Sequence, residues 1–153
     1  MEICLVPYSD VLKQQVFSFT DTCFTELGKR FEPDGRHSFY NYIEDYFEVF
    51  YCLVSDEQVI GTVALKKLND DTAELKALYL DKSYRGQGFG KRLIDIVIKE
   101  AEMRGFKSIV LDSMKQYKDA RRLYEKCGFS DFERYNDNPY ADVFMKLDLQ
   151  QIK

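Results

Sequence analysis

The sequence predicts an α/β fold in which one mixed central sheet of six to seven strands is flanked by about four helices. Short segments rich in β-branched and aromatic residues alternate with turn sequences, as strands do. Other segments carry apolar residues every three or four positions, as amphipathic helices do. The 153 residues, 45% of them hydrophobic, suit one domain over 1–153 with one compact core.

The chain opens with a predicted strand at 2–6, followed by an amphipathic helix. Ser9 or Asp10 is placed to cap the start of this helix, and Gly28 is placed to end it. The apolar stripe of the helix contains Val11, Leu12, Val16 and Phe19.

A loop with Pro and Gly at 31–37 leads to a second predicted helix over 39–47. Its aromatic and apolar residues recur at helical spacing, which favours a helix that packs on the sheet. Tyr40 is expected to lie off the packed face, where it is available to line a substrate cavity.

Three consecutive strands are predicted next, at 49–54, 59–65 and 72–80. The first two are joined by the turn sequence at 56–58, which predicts a hairpin. A second turn at 69–71 extends the hairpin into a three-stranded meander.

The second half of the chain opens with residues 81–93, which lead into a helix that Gly105 is placed to end. Ser108 and its neighbours to 111 form a short apolar segment that predicts a buried strand. The remaining elements are a helix ended by Gly128 and two strands at 129–134 and 142–149, joined by a turn at 136–139.

Composition excludes several classes of protein. No apolar run approaches the roughly 20 residues that span a bilayer, and the N-terminus lacks the pattern of a signal peptide. A pI near 5.1 without a basic aromatic stripe argues against a nucleic-acid partner. Four scattered cysteines predict reduced thiols in a cytoplasmic protein without a metal site. They are Cys4, Cys23, Cys52 and Cys127.

The charge is distributed unevenly along the chain. Residues 1–60 hold 11 acidic and 4 basic side chains, whereas residues 61–153 hold 15 acidic and 18 basic ones. A polyanionic ligand would favour the second part of the chain and a cationic ligand the first, unless the asymmetry is chance surface charge.

The glycine-rich segment at 85–90 follows a strand and opens a helix. Its glycines let the backbone approach a ligand closely, and the unpaired N–H groups of a helix start bind anions. Arg85, Lys91 and Arg92 add positive charge, so the segment suits a pyrophosphate. The spacing fits neither the P-loop nor the dinucleotide fingerprint.

Two signatures in this region resemble those of the GNAT superfamily of N-acetyltransferases. Arg85, Gly88 and Gly90 match the family's acetyl-CoA signature, Arg/Gln-x-x-Gly-x-Gly/Ala. A second signature, Ala-x-x-Leu-Tyr-x-x-x-Gly-Phe, is matched by Ala120, Leu123, Tyr124, Gly128 and Phe129. The resemblance extends from about residue 58 to 149. Tyr117 departs from it, because many members have an Asn there that contacts the cofactor.

The resemblance implies a GNAT fold whose sheet is splayed at the acetyl-CoA site. The pantetheine arm would lie between the strands at 78–80 and 108–111, and the pyrophosphate would meet the amides of 87–90. The residues that the resemblance assigns to this cosubstrate are Leu78, Tyr79, Leu80, Arg85, Gly86, Gln87, Gly88, Phe89, Gly90 and Lys91.

The resemblance also suggests an acid and a base. Tyr124 occupies the position of a phenol that protonates the departing thiolate, although it could instead be a packed core aromatic. Glu74 stands where some members carry a general base. It could equally be a solvated strand residue paired with Lys76, with a water chain as the base.

Three other residues, His37, Tyr40 and Cys127, have weaker claims. His37, the sole histidine, lies in a predicted loop and could act as a base. Tyr40 and Glu74 are candidate substrate contacts. Cys127 has no neighbouring base and is read as a small core residue.

The sequence therefore predicts a metal-free enzyme, monomeric or homodimeric, that transfers acetyl from acetyl-CoA to an amine by direct attack. The alternative is a catalytically silent acyl-CoA-binding sensor or interaction domain.

Overall fold

The computed structural model describes residues 2–149, in which seven strands form one sheet. The strands are β1 Ile3–Pro7, β2 Val49–Ser55, β3 Gln58–Lys67, β4 Thr72–Leu80, β5 Ser108–Ser113, β6 Ser130–Asp131 and β7 Val143–Asp148. They lie in the order β1-β2-β3-β4-β5-β7-β6. Neighbouring strands are antiparallel except for β4 and β5, which run parallel. The predicted mixed sheet is confirmed.

Four α-helices flank the sheet within the described residues, as predicted. They are α1 Lys13–Glu26, α2 Ile43–Tyr46, α3 Phe89–Met103 and α4 Lys118–Lys126. Gly28, Gly105 and Gly128 follow three of them with φ of 75°, 84° and 100°. This left-handed conformation, which favours glycine, ends α1, α3 and α4 as the sequence predicts.

The two faces of the sheet are covered by different helices. On one face, α3 and α4 bury a core around Leu65, Leu93 and Met145. On the other face, α1 and the segment before β2 bury an aromatic-rich core around Phe19 and Phe50. The parallel strands β4 and β5 are connected by α3. The N-terminus of α3 therefore lies close to the end of β4.

The predicted second helix is correct in place but not in type. Residues Ser38–Tyr42 form a 3-10 helix, and only Ile43–Tyr46 are α-helical. A 3-10 helix has three residues per turn, so the side chains face differently from those of an α-helix. Tyr40 is only 3% exposed and Tyr42 is 65% exposed, so the expected exposure of Tyr40 is wrong.

Two smaller expectations are also wrong. Val11 lies in a 3-10 turn before α1 and is 86% exposed, so it does not belong to the apolar stripe. Ser9 does not cap with its side chain; its backbone carbonyl accepts from the N–H of Leu12 over 2.9 Å.

The strand predicted at 129–134 is cut short to Ser130–Asp131. The chain turns away because the Arg134 guanidinium donates to the carbonyls of Asn136, Asn138 and Ala141. These bonds gather the following residues into a folded loop over 132–142.

Candidate active site

A cleft opens where β4 and β5 diverge. The two strands are paired only at Thr72, Ala73 and Glu74, opposite Ser108, Ile109 and Val110. Residues 75–80 of β4 continue beyond this pairing without a register partner on β5. We call the resulting gap the β4–β5 cleft, and it is the splay that the family resemblance implies.

A bulge in β4 lies beside this cleft. On β3, Thr62 and Ala64 are two residues apart, but their partners on β4, Tyr79 and Lys76, are three apart. Ala77 lies in the bulge with φ of 55°, a conformation that costs a non-glycine residue about 1 kcal/mol or more. The hydroxyl of Thr62 donates to the carbonyl of Ala77 over 2.7 Å, which helps hold the bulge.

The glycine loop, residues 85–88, connects β4 to α3 by way of a short 3-10 turn. Gly86 and Gly88 have φ of 77° and 88°, and a Cβ added to either would meet nothing within 4 Å. The first intrahelical bond of α3 runs from Arg92 N–H to the Gly88 carbonyl over 3.2 Å. The N–H groups before Arg92 therefore lack a carbonyl one turn earlier, as at any helix start. The loop offers open space and backbone donors, which is what a phosphate requires.

Gly90 also has a role in helix packing. A Cβ on Gly90 would lie 2.7 Å from Cδ2 of Leu123 on α4. This glycine therefore lets α3 and α4 pack closely, whereas Gly86 and Gly88 leave room on the open side.

The side chains around the glycine loop mostly contact the protein itself. Arg85 donates to the Leu80 carbonyl over 3.3 Å, and Lys91 pairs with Asp95 on its own helix over 2.7 Å. The ring of Phe89 lies 6.1 Å from that of Tyr84 in an edge contact. The backbone N–H groups thus remain the main feature that could hold an anion.

Tyr124 lies on α4 and is buried at 7% exposure. Burial, and to a lesser degree the charge of Asp112, raises the pKa of Tyr124 well above the ordinary 10.0 of a phenol. The phenol is protonated at neutral pH, as an ordinary phenol also is.

Tyr79 on β4 has three other phenols close to it. The pKa of Tyr79, on the free half of β4, is raised by burial and by its phenolic neighbours Tyr40, Tyr124 and Tyr117. The Lys29 ammonium lies 5.5 Å from the ring centre of Tyr117.

The Tyr117 hydroxyl is buried and has no hydrogen-bond partner within the part of the chain that the structure describes. Such a group is costly unless a ligand or water satisfies it. Together with the open glycine loop, it fits a site for a polar ligand such as the pantetheine arm. From the sequence alone, Tyr117 is only a departure from the family's pattern.

Glu74 is buried at 5% exposure at the point where β4 and β5 part. The hydroxyl of Tyr135 donates to its Oε2 over 2.5 Å, and the Lys76 ammonium lies 3.7 Å from its Oε1. The alternative of a solvated Glu74 is wrong, although its pairing with Lys76 exists. Burial, followed by the hydrogen bond to Glu74, raises the pKa of Tyr135.

Tyr135 is the residue that sequence reasoning missed. It lies 61 positions from Glu74, and its only sequence signal is the turn-rich segment that follows it. The charge of Asp112 contributes to the raised pKa of both Tyr124 and Tyr135, so this carboxylate lies near both phenols. It also accepts hydrogen bonds from Asn136 at 2.7 Å and Asn138 at 3.4 Å.

The weaker candidates are engaged in packing. The Nδ1 atom of His37 accepts from the Glu32 N–H over 2.9 Å, and burial and the charge of Arg36 lower its pKa. The Tyr40 ring is buried 5.1 Å from that of Phe31. Burial raises the pKa of Cys127, as expected of a thiol without an activating base.

Residues 2–149 contain no group of three or more His, Cys, Asp or Glu side chains arranged to hold a metal ion. No helix in this range combines the length and the apolar character required to cross a membrane.

Comparison with known proteins identifies the family. Residues 13–129 match the model of the acetyltransferase (GNAT) family. The chain is 33% identical over 101 residues to the uncharacterized N-acetyltransferase YsnE of Bacillus subtilis, which covers 63% of this chain and 66% of that protein. It is also 33% identical over 94 residues to human N-acetyltransferase 8B, covering 58% of this chain and 41% of that protein. The chain thus spans less than two thirds of these relatives.

Solved structures share the fold at low sequence identity. A GNAT acetyltransferase from Staphylococcus aureus Mu50 superposes with a TM-score of 0.84 at 21% identity, covering 97% of this chain and 99% of that one. The PaiA N-acetyltransferase of Thermoplasma acidophilum, solved with coenzyme A, gives a TM-score of 0.78 at 21% identity and the same coverages. Because the family model matches residues 13–129, which are most of the chain, and the sheet is splayed beside a glycine loop, this chain belongs to the GNAT acetyltransferase family.

Proposed function

We propose that this chain is an N-acetyltransferase that moves the acetyl group of acetyl-CoA directly to a primary amine of a small molecule or protein. The observation that carries the proposal is the β4–β5 cleft, whose free strand leads into the glycine loop and the start of α3. A strand with unpaired backbone groups and a helix start with open N–H groups complement an extended amide chain joined to a pyrophosphate.

Several residues would hold the cosubstrate. The backbone of residues 78–80 would pair with the pantetheine arm, and the N–H groups of residues 87–90 would meet the pyrophosphate. The orphan hydroxyl of Tyr117 would bond a polar group of the arm. Bound acetyl-CoA supplies a thioester, whose carbonyl carbon accepts a nucleophile and whose sulfur leaves as a thiolate.

Glu74 would act as the general base of the transfer and Tyr124 as its general acid. Glu74, directly or through a water chain, takes one proton from the amine as its nitrogen forms a bond to the acetyl carbon. Tyr124 gives one proton to sulfur as the C–S bond breaks. Solvent then returns the proton from Glu74 to Tyr124, so the products are the acetylated amine and the free thiol.

The acceptor class follows from charge. Residues 1–60, which in this family contribute the acceptor-binding helices, are markedly acidic, and two carboxylates, Glu74 and Asp112, flank Tyr135 near the cleft. This charge favours an amine that arrives as an ammonium ion, which must release one proton to solvent before its neutral nitrogen attacks the acetyl carbon.

The test is thiol release from acetyl-CoA with a panel of amines: spermidine, free amino acids, an aminoglycoside and a lysine peptide. With the amine that the parent acetylates fastest, Tyr124→Phe is expected to lower kcat about 100-fold, the scale of a lost general acid, and to bind CoA as the parent does. Tyr42→Phe, at an exposed tyrosine, is the matched control and should leave kcat unchanged.

A parent that binds CoA but releases no thiol with any of these amines would contradict the enzyme proposal. That result would favour a catalytically silent binding domain.

A further inference from the structure

Glu74 is deeply buried and has few hydrogen-bonding or charged partners. A buried carboxylate is costly unless it is paired and hydrogen-bonded. Here the hydrogen bond comes from Tyr135 to Oε2, whereas the Lys76 ammonium, at 3.7 Å from Oε1, is beyond hydrogen-bond distance. On β3, Lys66 is the cross-strand neighbour of Glu74, but its ammonium lies over the Tyr46 ring at 4.7 Å. The hydroxyl of Tyr135 therefore fixes one oxygen, and the other keeps lone pairs available.

Tyr135 is itself held from two sides. Its ring makes an edge contact with Phe144 on β7, with ring centres 5.6 Å apart. The Arg134 guanidinium lies over the same Phe144 ring at 4.7 Å and bonds three carbonyls of the 132–142 loop.

Asp112 of β5 fastens this loop to the sheet. It accepts from the side-chain amide of Asn136 over 2.7 Å and from that of Asn138 over 3.4 Å. The loop is thus tied to the strand that borders the β4–β5 cleft, and the Tyr135 hydroxyl is presented at one defined place.

We propose that Tyr135 is a positioning residue for the acetyl transfer, acting through Glu74. By donating to Oε2, it holds the carboxylate so that Oε1 is the oxygen that takes the proton from the acceptor amine or from a water bound to it. This inference rests on the proposed function, in which Glu74 is the base. Preorganisation of this kind matters because a base displaced by about 1 Å loses much of its effect.

A purely structural role makes a different prediction. If Tyr135 only satisfied a buried carboxylate, Tyr135→Phe would lower the free energy of unfolding and leave the kcat of the folded enzyme unchanged. If Tyr135 positions the base, the loss of kcat caused by Tyr135→Phe should vanish in the Glu74→Gln background. A double-mutant cycle separates the two.

The experiment measures kcat and the acceptor KM for four proteins, with the fastest amine of the panel. They are the parent, Tyr135→Phe, Glu74→Gln and the double variant. Tyr135→Phe keeps the ring against Phe144 and is expected to lower kcat about tenfold, with an unchanged acceptor KM and unchanged CoA affinity. In the Glu74→Gln background the same change should have no further effect. Tyr140→Phe, in the same loop and 68% exposed, is the control that should behave as the parent.

Two results would overturn the inference: a kcat for Tyr135→Phe equal to that of the parent, or the same fold-loss in both backgrounds. A Glu74→Gln variant with full kcat would refute the base role itself, and the inference would go with it. CoA binding, measured on all four proteins by calorimetry, shows whether each is folded. A parent without turnover on the whole panel contradicts the proposed function and removes the basis of the inference.

Discussion

The Thr62 hydroxyl donates a hydrogen bond of 2.7 Å to the Ala77 carbonyl, across the strand pair at the point where β4 takes its left-handed residue. The bond links the central hairpin to the edge of the β4–β5 cleft. The bulge sets the direction of residues 78–80. Loss of this contact should therefore affect both the stability of the sheet and the geometry of the site.

Removing this hydroxyl should cost both stability and cosubstrate affinity. Thr62→Val preserves the shape of the side chain but leaves the Ala77 carbonyl without its partner, and we expect about 1–2 kcal/mol less free energy of unfolding. Denaturant unfolding and CoA calorimetry measure the two effects. Thr62→Ser retains the hydroxyl, so it should lose less unfolding free energy and less CoA affinity than Thr62→Val. Equal losses in the two variants would refute the role of the hydrogen bond.

Tyr117 should contribute to CoA affinity through its buried hydroxyl. Tyr117→Phe removes the orphan group, so we expect the folded protein to become slightly more stable or stay unchanged, while CoA binding weakens by about 1 kcal/mol. Tyr117→Asn, which restores a polar amide at this position, should bind CoA more tightly than the Phe variant. Calorimetry on the three proteins checks this order, and unchanged affinity in Tyr117→Phe would show that the hydroxyl does not face the cosubstrate.

The stability of the fold should fall at alkaline pH. Burial raises the pKa of Cys23 and Cys52 from 9.0 to about 12. Between these values the unfolded chain has released protons that the native state still holds, so the free energy of unfolding decreases as pH rises through this window. Denaturant unfolding from pH 8 to pH 11 should show the decline.

The matched variants for this prediction are two cysteine substitutions. Cys52→Ala removes one fully buried thiol, so its stability should fall less steeply with pH, from a starting value lowered by roughly 1 kcal/mol. Cys4→Ala, at an exposed position, should keep the slope of the parent. Identical slopes in all three proteins would contradict the assignment.

The parts of the molecule that the sequence predicts well are set by local chemistry. The strand and helix periods mark most of the strands and helices of residues 2–149, and glycines such as Gly28 and Gly105 end helices because they alone adopt left-handed φ at little cost. The glycine loop is recognisable for the same reason.

The parts that the sequence does not predict depend on distant contacts. Tyr40 is buried, against expectation, because residues 38–42 form a 3-10 helix, which the aromatic spacing alone does not distinguish from an α-helix. Tyr135 meets Glu74 only because Arg134 and Asp112 fold the 132–142 loop across the sheet. No local pattern encodes that meeting.

The most direct test of the account is acetyl-CoA binding by calorimetry to the parent, to Gly88→Glu and to Gly105→Glu. Both glycines have positive φ and open space around the missing Cβ, so the two variants carry similar backbone strain. They lie at opposite ends of the 15-residue helix α3, and only position 88 belongs to the glycine loop. We predict saturable binding to the parent and to Gly105→Glu, and none to a folded Gly88→Glu. Absence of binding to the folded parent, or undiminished binding to Gly88→Glu, would contradict the assignment of this loop to the cosubstrate.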